Sequence, residues 1–400
     1  MKIQIVTQYF YPEPMRITDI ANELHNMGHD VRVLTGVPNY PEGKVLADYK
    51  GRSFKKHQKE TISGVEVTRS RLIGRGTNSL TLMLNYISFA FLASIKARRI
   101  APDADVVFIQ QHSPVTLCKP AYVYARRAKC PVVLNCLDLW PESVTSRMYL
   151  SKTSFLYKRL RNMSRRLYNK ATALIVTSAG FADYFKDELD MDRDVIHIPQ
   201  YAEDIFEPTP MPKGKGLNLV FAGNVGRAQA ADTVVRAASL LRERDISWHI
   251  IGSGSALDEC KALADELGVT DKVIFHGRLP LEDMPKLYES ADALIVTLQA
   301  NKLIELTLPG KVQTYMAAGR PILAAAGGET TRVIEDAKCG LAAASEDFVS
   351  LAKNADYMLK NKSELAQYAK NAREYYDKNY CKQKFFDDIL KVMDICVKNY

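Results

Sequence analysis

Short runs of β-branched and apolar residues alternate with helical patterns such as Ile17–Met27, and this alternation constrains the fold more than any other feature. The runs predict strands, and strands separated by helices are typical of a parallel sheet covered on both faces. The strands predicted in the first half are Ile3–Phe10, Val31–Thr35, Val106–Ile109, Val132–Cys136 and Ala173–Thr177.

The alternation stops at residues 204–216, where prolines, glycines and polar residues predict a linker. It starts again afterwards, so we predict two doubly wound, Rossmann-like domains, residues 1–203 and 217–380, whose strand-end loops face a common cleft. Residues 381–400 are predicted to form a packed helix with one apolar face. The strands predicted in the second half are Leu217–Phe221, Trp248–Ile251, Val273–His276, Ala293–Thr297 and Ile322–Ala325.

Composition narrows the class of protein. The net charge of +8, with 25% charged residues, is well below that of an obligate nucleic-acid binder. Seven cysteines without a C-x-x-C pair predict reduced, structural thiols and a cytosolic compartment. The amino terminus resembles a strand rather than a secretory peptide. The apolar run Leu80–Ile95 is shorter than the roughly 20 residues of a spanning helix, and we interpret it as a buried core helix.

Four predicted strands of the second half end in short glycine-bearing loops, at residues 221–229, 250–255, 275–280 and 308–313. Glycine lets the backbone approach a ligand, and a helix N-terminus attracts an anion. Lys311 and Arg227 add positive charge to two of these loops. A single such loop is more often only a tight turn, but the set indicates a site for a nucleotide diphosphate. None matches the P-loop or the complete G-x-G-x-x-G pattern.

The order of the motifs "YFYPEP", "GHDVRVLTG", "PNYPEG", "LDLWPES", "FAGNVGRAQ", "ADALIVTL" and "LPGKVQTYMAAGRPI" resembles the retaining glycosyltransferases of family 4, which have the GT-B fold. The resemblance spans nearly the whole chain and is strongest to the bacterial branch that builds O-antigen, capsule and colanic-acid-type polysaccharides. It implies that the second domain binds a nucleotide-sugar donor, that the first binds the acceptor, and that the terminal helix crosses back to the first domain.

The resemblance also implies a donor site. Arg278 would lie beside the base, Lys311 on the phosphates, and Thr314 where the family carries the glutamate that holds the ribose. The family often has an arginine and a lysine where this chain has Asn224 and Gln229. Its other glutamate falls at Leu306, one residue after Glu305. The residues expected at the diphosphate loops are Gly223, Asn224, Arg227, Gln229 and Gly254.

Asp138 and Glu142 follow a predicted strand, and His112 ends the preceding one. Carboxylates at such a position can stabilise an oxocarbenium-like centre or hold an acceptor hydroxyl, so these three residues are the catalytic candidates. Asp138 could instead cap a helix, and His112 could be a hydrogen-bonded core residue. Relatives often place a histidine where this chain has Leu137.

The proline-rich turns "YPEPMR" and "PNYPEG" would face the same cleft, with Arg16, Asn39 and Tyr40 as acceptor contacts. Asp-x-Asp triplets occur at residues 103–105, 190–192 and 192–194, and we interpret them as solvated charge. No histidine and cysteine cluster has metal spacing, so we expect a metal-independent enzyme in which Lys311, Arg227 and helix N-termini stabilise the departing diphosphate.

Residues 147–170 contain eight basic residues and no acidic one. Leu156, Leu160, Met163 and Leu167 form an apolar stripe that we interpret as core, with the cations largely on other faces. A basic face beside aromatics such as Tyr149, Phe155 and Tyr157 predicts contact with an anionic membrane, and nucleic acid is the rival partner. The expected location is the inner face of the plasma membrane, where polyprenyl-diphosphate-linked acceptors lie.

These features favour a retaining transferase that moves a sugar, of the N-acetylated hexosamine type, from a UDP-linked donor to a lipid-linked saccharide. Two alternatives remain open. One is a nucleotide-sugar epimerase of the same fold. The other is a catalytically silent partner subunit, which the missing glutamates at positions 306 and 314 suggest.

Overall fold

The computed structural model describes residues 1–51, 54–145 and 150–400. Its contacts divide the chain into two compact units. The first unit comprises residues 1–177, 181–198 and 386–400, and the second comprises residues 178–180 and 199–385. The predicted residues Arg147 and Tyr149 lie outside the described residues.

Within the described residues, the strands of the first unit form one eight-stranded sheet in the order β3-β4-β2-β1-β5-β6-β7-β8. All neighbours are parallel except β3 and β4, which are antiparallel at one edge. The strands are β1 (Lys2–Val6), β2 (Asp30–Gly36), β3 (Lys59–Ile62), β4 (Val65–Ser70), β5 (Val106–Gln111), β6 (Val132–Cys136), β7 (Ala173–Val176) and β8 (Ile196–His197).

Helices connect the parallel strands of this sheet. They are α1 (Ile17–Asn26), α2 (Phe54–His57), α3 (Ser79–Ala97), α4 (Cys118–Ala128), α5 (Glu142–Thr145), α6 (Phe155–Tyr168) and α7 (Gly180–Asp183). The central strands β5 and β6 are buried along their whole length, as expected for parallel strands covered on both faces.

The second unit contains a six-stranded parallel sheet in the order β11-β10-β9-β12-β13-β14. Its strands are β9 (Leu217–Ala222), β10 (Ile246–Ile251), β11 (Val273–Gly277), β12 (Ala293–Thr297), β13 (Ile322–Ala325) and β14 (Gly340–Ala343). Its helices are α8 (Asp232–Leu240), α9 (Leu257–Glu266), α10 (Met284–Ser290), α11 (Lys302–Glu305), α12 (Gly310–Ala317), α13 (Glu329–Ala337), α14 (Phe348–Lys360) and α15 (Lys362–Asn379). Apolar clusters cover both faces of this sheet.

The last helix, α16 (Lys382–Asn399), enters the first unit at residue 386. Its apolar stripe is buried, with Ile389 and Met393 fully inaccessible to solvent. The α/β fold with two Rossmann-like units and a returning terminal helix is therefore confirmed.

Two predictions about buried helices are wrong. Helix α3, expected as a buried core helix, exposes Leu80, Leu84, Ile87 and Phe91 along one side. The stripe of α6 is core only at Leu167, because Leu156 is exposed and Leu160 and Met163 are only half-buried. Helical spacing identifies an apolar stripe correctly but does not reveal whether other elements cover it.

One of the two predicted surface aromatics of α6 differs from expectation. Phe155 is exposed, whereas Tyr157, expected at the surface, is buried and donates a hydrogen bond to Glu142. The buried side of α6 consists of Tyr157, Ser164, Leu167 and Tyr168.

Candidate active site

Glycines shape the strand ends of β9 and β10. Gly223 has φ +137° and Gly252 has φ +143°, conformations that side chains rarely adopt. A Cβ atom at Gly252 would lie 1.7 Å from the carbonyl oxygen of Gly223, and one at Gly254 would lie 2.4 Å from that of Val225. The two loops therefore pack backbone against backbone and leave a floor that a ligand can approach closely.

Lys311 extends from the first turn of α12 toward this floor. A Cβ atom at Gly223 would lie 3.4 Å from its Nζ atom, and Nζ lies 4.1 Å from the ring centroid of Phe221. The side chain is half-buried as a whole, but Nζ is buried and has no hydrogen-bond partner among the described residues. Burial lowers the pKa of Lys311 to about 7.

An unpaired ammonium in a dry position is unfavourable unless an anion joins it. The opening turn of α12 also leaves backbone N–H groups without intrahelical acceptors, at the positive end of the helix. A phosphate group seated there would satisfy both the ammonium and the N–H groups. The arrangement is that of an anion site.

Other predicted donor residues surround this floor. Asn224 extends toward Gly254, where a Cβ atom would lie 2.7 Å from its Oδ1. Gln229 is anchored through its carbonyl oxygen, which accepts a 2.6 Å hydrogen bond from Thr297, while its Oε1 atom is buried without a partner among the described residues. Arg278 is exposed just after Gly277, whose carbonyl accepts from the Gly252 N–H.

Arg227 lies differently from expectation. Its guanidinium forms a 3.0 Å ion pair with Glu259, and both side chains are largely exposed. The two residues line an open groove of about 630 Å³ beside α8 and α9. The guanidinium of Arg227 is therefore paired at the surface, whereas the ammonium of Lys311 is buried beside Gly223.

Thr314, which the resemblance places at the ribose, forms a hydrogen bond within its own helix. Thr314 donates its hydroxyl to the carbonyl oxygen of Gly310 in its own helix, at 3.2 Å. Glu305, one residue before the family position, packs against the loop after β13, where a Cβ atom at Gly327 would lie 2.8 Å from its Oε1 atom. A carboxylate is therefore present at the loop after β13, although it is one residue away from the position where the family carries its glutamate.

In the first unit, Asp138 lies at the end of β6 and is fixed by the end of β5. Ser113 donates both its N–H and its hydroxyl to the Asp138 carboxylate. The indole N–H of Trp140 donates to the same hydroxyl oxygen at 3.0 Å. Asp138 is half-buried, so its position is defined while part of it stays open to solvent.

Gln111, which the sequence motifs do not single out, joins these strand ends. Its side-chain amide donates to the carbonyl oxygens of His112 and Asp138, at 3.0 and 3.1 Å. The Nδ1 atom of His112 is buried without a hydrogen-bond partner among the described residues. Burial lowers the pKa of His112 to about 4, so the imidazole is neutral at pH 7.

Glu142 is enclosed by other side chains of the first unit. It is buried, and its carboxylate accepts hydrogen bonds from the hydroxyls of Tyr157 and Tyr184. These contacts fix the first turn of α5 against α6 and occupy both carboxylate oxygens. Of the three catalytic candidates, Asp138 and His112 are half-buried residues at the ends of β6 and β5, whereas Glu142 is enclosed.

The predicted acceptor loops meet at a residue that we had not predicted to be functional. The buried carboxylate of Glu13 accepts N–H groups from Phe10, Asn39 and Tyr40 at 2.8–3.1 Å. Burial raises the pKa of Glu13 to about 7 despite these bonds. The motif "YPEP" contains this glutamate, and its buried position could not be read from the turn residues around it.

Asn39 is fully buried, and its amide is committed to the protein. It donates to the carbonyl of Val37, and its Oδ1 atom accepts from the N–H of Arg75 and the amide of Asn85. Tyr40 is half-buried beneath Arg75, whose guanidinium carbon lies 5.3 Å from its ring centroid. Tyr40 and the neighbouring Arg75 are therefore only partly covered, whereas Asn39 is enclosed.

Arg16 occupies the start of α1 and is half-buried. A cavity of about 120 Å³ extends from Arg75 to Val144, the residue two positions after Glu142. Its remaining lining residues belong to the start of α3 and the loop before it.

Two aspartates of the Asp-x-Asp triplets form ion pairs at the surface. Asp103 pairs with Lys2 and Arg32, and Asp190 pairs with Arg161. Among the described residues, no group of three or more histidine, cysteine or acidic side chains is placed to hold a metal ion.

Two Rossmann-like units, one of them with an anion site at its strand ends, are the architecture of a GT-B protein, and the family models identify the class as glycosyltransferases. Residues 15–200 match the glycosyl transferase 4-like domain, and residues 203–375 match glycosyl transferases group 1. The chain belongs to the family 4 glycosyltransferases, as the motifs indicated. It is a member of the bacterial surface-polysaccharide branch.

The chain is 29% identical to WbjE of Pseudomonas aeruginosa, named a probable glycosyltransferase, with 72% of each chain covered. It is 24% identical to WcaI of Escherichia coli, named for glycosyl transfer in colanic acid biosynthesis, over 80% of this chain and 82% of that one. The structure of HepE from Anabaena in complex with UDP has a TM-score of 0.71 at 14% identity, with 98% of this chain and 100% of that chain covered. That likeness confirms the GT-B fold.

Proposed function

We propose that this glycosyltransferase retains the anomeric configuration and moves an N-acetylated hexosamine-type sugar from a UDP-linked donor to a lipid-linked saccharide. The observation that carries the proposal is the buried, unpaired Lys311 beside Gly223, which needs an anion. The diphosphate of a nucleotide sugar supplies one. A fold relative solved with UDP supports uracil as the base.

In the proposed reaction, the bond between the anomeric carbon and the diphosphate oxygen breaks and the diphosphate takes the electron pair. The acceptor oxygen forms a bond to the same carbon on the same side of the ring. The hydroxyl proton passes to the departing diphosphate. Lys311 and the N-terminus of α12 stabilise that departing charge, so no metal ion is required.

Asp138 and His112 are the proposed groups at the reacting centre. The half-buried carboxylate of Asp138 would stabilise positive charge at the anomeric carbon. Neutral His112 would hydrogen-bond a sugar hydroxyl, which its low pKa permits at every physiological pH. Tyr40 and Arg75 are the proposed acceptor contacts.

We further propose that residues 147–170 contact the inner face of the plasma membrane. The apolar residues Leu156, Leu160 and Met163 of α6, of which Leu156 is exposed and the other two are half-buried, line an open groove of about 1070 Å³. Lys158, Arg159, Arg166 and Lys170 line the same groove. An apolar surface bordered by cations is typical of helices that lie in the head-group region of an anionic bilayer. The proposed lipid-linked acceptor lies in such a bilayer.

The proposal is tested by incubating the protein with UDP-N-acetylglucosamine and UDP-glucose, with and without a polyprenyl-diphosphate-linked saccharide. We expect UDP release that depends on the lipid acceptor. The product should keep the α configuration that the sugar has in the donor. Release of a free epimer without acceptor would establish the epimerase alternative. Absence of both activities with GDP- and dTDP-sugars as well would establish the silent partner alternative.

A further inference from the structure

Helix α3 presents an uncovered apolar stripe. Leu80, Leu84, Ile87 and Phe91 are 70%, 41%, 56% and 65% exposed. Their spacing of four, three and four residues places them in one line along the helix. No charged residue occurs between positions 79 and 95. Four large apolar side chains in a row exceed what scattered surface residues provide, and such a patch marks an interaction surface.

The opposite side of α3 is fixed to the first unit. Phe89 and Ala93 are fully buried there, and so is Asn85. Asn85 accepts a 2.6 Å hydrogen bond from the side-chain amide of Gln8 and donates to the carbonyl of Ile73 at 2.6 Å. Among the described residues, α3 is long and apolar enough to cross a membrane by length and composition. Crossing would break these bonds, so only the stripe is available to a partner.

The neighbouring helices carry positive charge. Helix α4 lies beside α3, because Arg127 donates to the carbonyls of Ala97 and Ile100 at 3.0 and 2.8 Å. Helix α6 also contacts α4, because the Tyr122 hydroxyl donates to the carbonyl of Leu167 at 2.5 Å. The exposed charged residues of α4 and of the ends of α3 and α4 are all basic: Arg98, Arg99, Lys119, Arg126, Arg127 and Lys129.

The charge of the surrounding sequence is strongly one-sided. Residues 71–182 contain 17 lysines and arginines but only four aspartates and glutamates. Of those four acids, Glu142 is buried and Asp103 is paired with Arg32. The partner of this surface must therefore be apolar in one part and negatively charged in another.

We infer that the α3 stripe inserts into the acyl-chain boundary of an anionic bilayer while cations of α4 and α6 contact its head groups. This inference deepens the proposed function and rests on it for the lipid nature of the acceptor. A second copy of the chain fits the surface less well, because the same surface on both copies would bring cations against cations. An anionic bilayer matches both the stripe and its charge.

Insertion is tested with a Phe91→Trp variant of the full chain, because the native Trp140 and Trp248 are buried. The variant is mixed with phosphatidylglycerol and phosphatidylcholine vesicles that contain lipids brominated near the head group. We expect the emission of the added tryptophan to shift to shorter wavelength and to be quenched by the bromine atoms. A Leu240→Trp variant, at an exposed position in the second unit, is the matched control and should show neither change.

A double variant, Ile87→Ser with Phe91→Ser, measures the contribution of the stripe. Each substitution removes a large exposed apolar side chain, and we expect vesicle affinity in 0.5 M salt to fall by about tenfold or more. The urea midpoint of the double variant should match that of the wild type, because neither side chain is buried. Leu240→Ser should leave vesicle affinity unchanged.

Three results would overturn the inference. One is an unquenched indole in a Phe91→Trp protein that nevertheless binds vesicles, because contact would then occur through α6 without insertion. Another is unchanged vesicle affinity of the double variant. The third is a dimer in vesicle-free buffer that the double variant dissociates during sedimentation, because a second copy would then cover the stripe. Insertion without any sugar transfer would contradict the proposed function and leave the inference standing.

Discussion

Replacing Lys311 by methionine should stabilise the ligand-free protein while weakening its affinity for a nucleotide diphosphate. Methionine keeps an unbranched apolar stem and removes a buried charge that has no hydrogen-bond partner among the described residues. The pKa of Lys311 falls from its ordinary 10.5 to about 7 because the ammonium is desolvated. At about 1.4 kcal/mol for each pH unit, this difference corresponds to about 5 kcal/mol.

The part of the side chain that reaches solvent reduces that value, and we expect Lys311→Met to raise the free energy of unfolding by about 3 kcal/mol at pH 7. Because the folded pKa lies below the unfolded one, the unfolded chain binds more protons between pH 7 and 10.5. The stability of the wild type therefore rises with pH through this window relative to that of the variant. The advantage of methionine should be largest at pH 7 and absent near pH 10.5.

Urea unfolding of both proteins at pH 7, 8.5 and 10, monitored by circular dichroism, measures this difference. The assay is repeated with saturating UDP, which should stabilise the wild type by about 2 kcal/mol more than the variant if the variant binds UDP about 30-fold more weakly. Equal or lower stability of Lys311→Met in the absence of ligand, at every pH, would refute the reasoning that the ammonium is buried without an anion.

Three further predictions follow from the strand ends. In urea titrations, Glu13→Gln should match the stability of the wild type near pH 5 and be more stable by about 2 kcal/mol at pH 8. The reason is that the raised pKa of Glu13 makes the wild type lose stability between pH 4.5 and 7. A difference in stability that does not change with pH would contradict this. Gly252→Ala should lower the free energy of unfolding by about 3 kcal/mol through its clash with Gly223, whereas Gly214→Ala, which meets open space, should change it by less than about 0.5 kcal/mol. Asp138→Asn should reduce kcat for sugar transfer about a hundredfold with little change in KM for the donor, and a change confined to KM would assign Asp138 to binding instead.

The strands that the sequence predicts well are those made of β-branched residues. The bounds predicted for β6 and β12 agree with the structure, because Val, Ile and Leu side chains buried on both faces leave a continuous apolar run. Strand β14 consists of Gly340–Ala343, whose small residues give no such signal. The predicted extension of the first strand to Phe10 is wrong, because the apolar Tyr9 and Phe10 are buried in the loop after β1.

The anion site was predictable in part. Lys311 could be found because it follows Pro309 and Gly310 at the start of a predicted helix, where an added cation has a physical purpose. Arg227 satisfies the same local pattern, but its partner Glu259 lies 32 residues later in the chain and no motif connects them. The same limitation applies to Glu13, whose partners come from two separate loops, and to Glu142, whose two tyrosines lie 15 and 42 residues away.

The surface of the helices was the least predictable feature. The spacing of apolar residues in α3 and α6 is the same whether a helix is covered by protein or by lipid. Only the neighbours decide, and those neighbours come from distant parts of the chain.

Titration of UDP into the protein by calorimetry tests the central claim most directly, because it measures whether Lys311 holds the diphosphate. Lys311→Met should bind UDP at least about 30-fold more weakly than the wild type, the loss expected for one buried charge-assisted contact. Lys353→Met, which removes an exposed lysine from α14, should bind within about threefold of the wild type. Equal affinity of wild type and Lys311→Met for UDP would contradict the account.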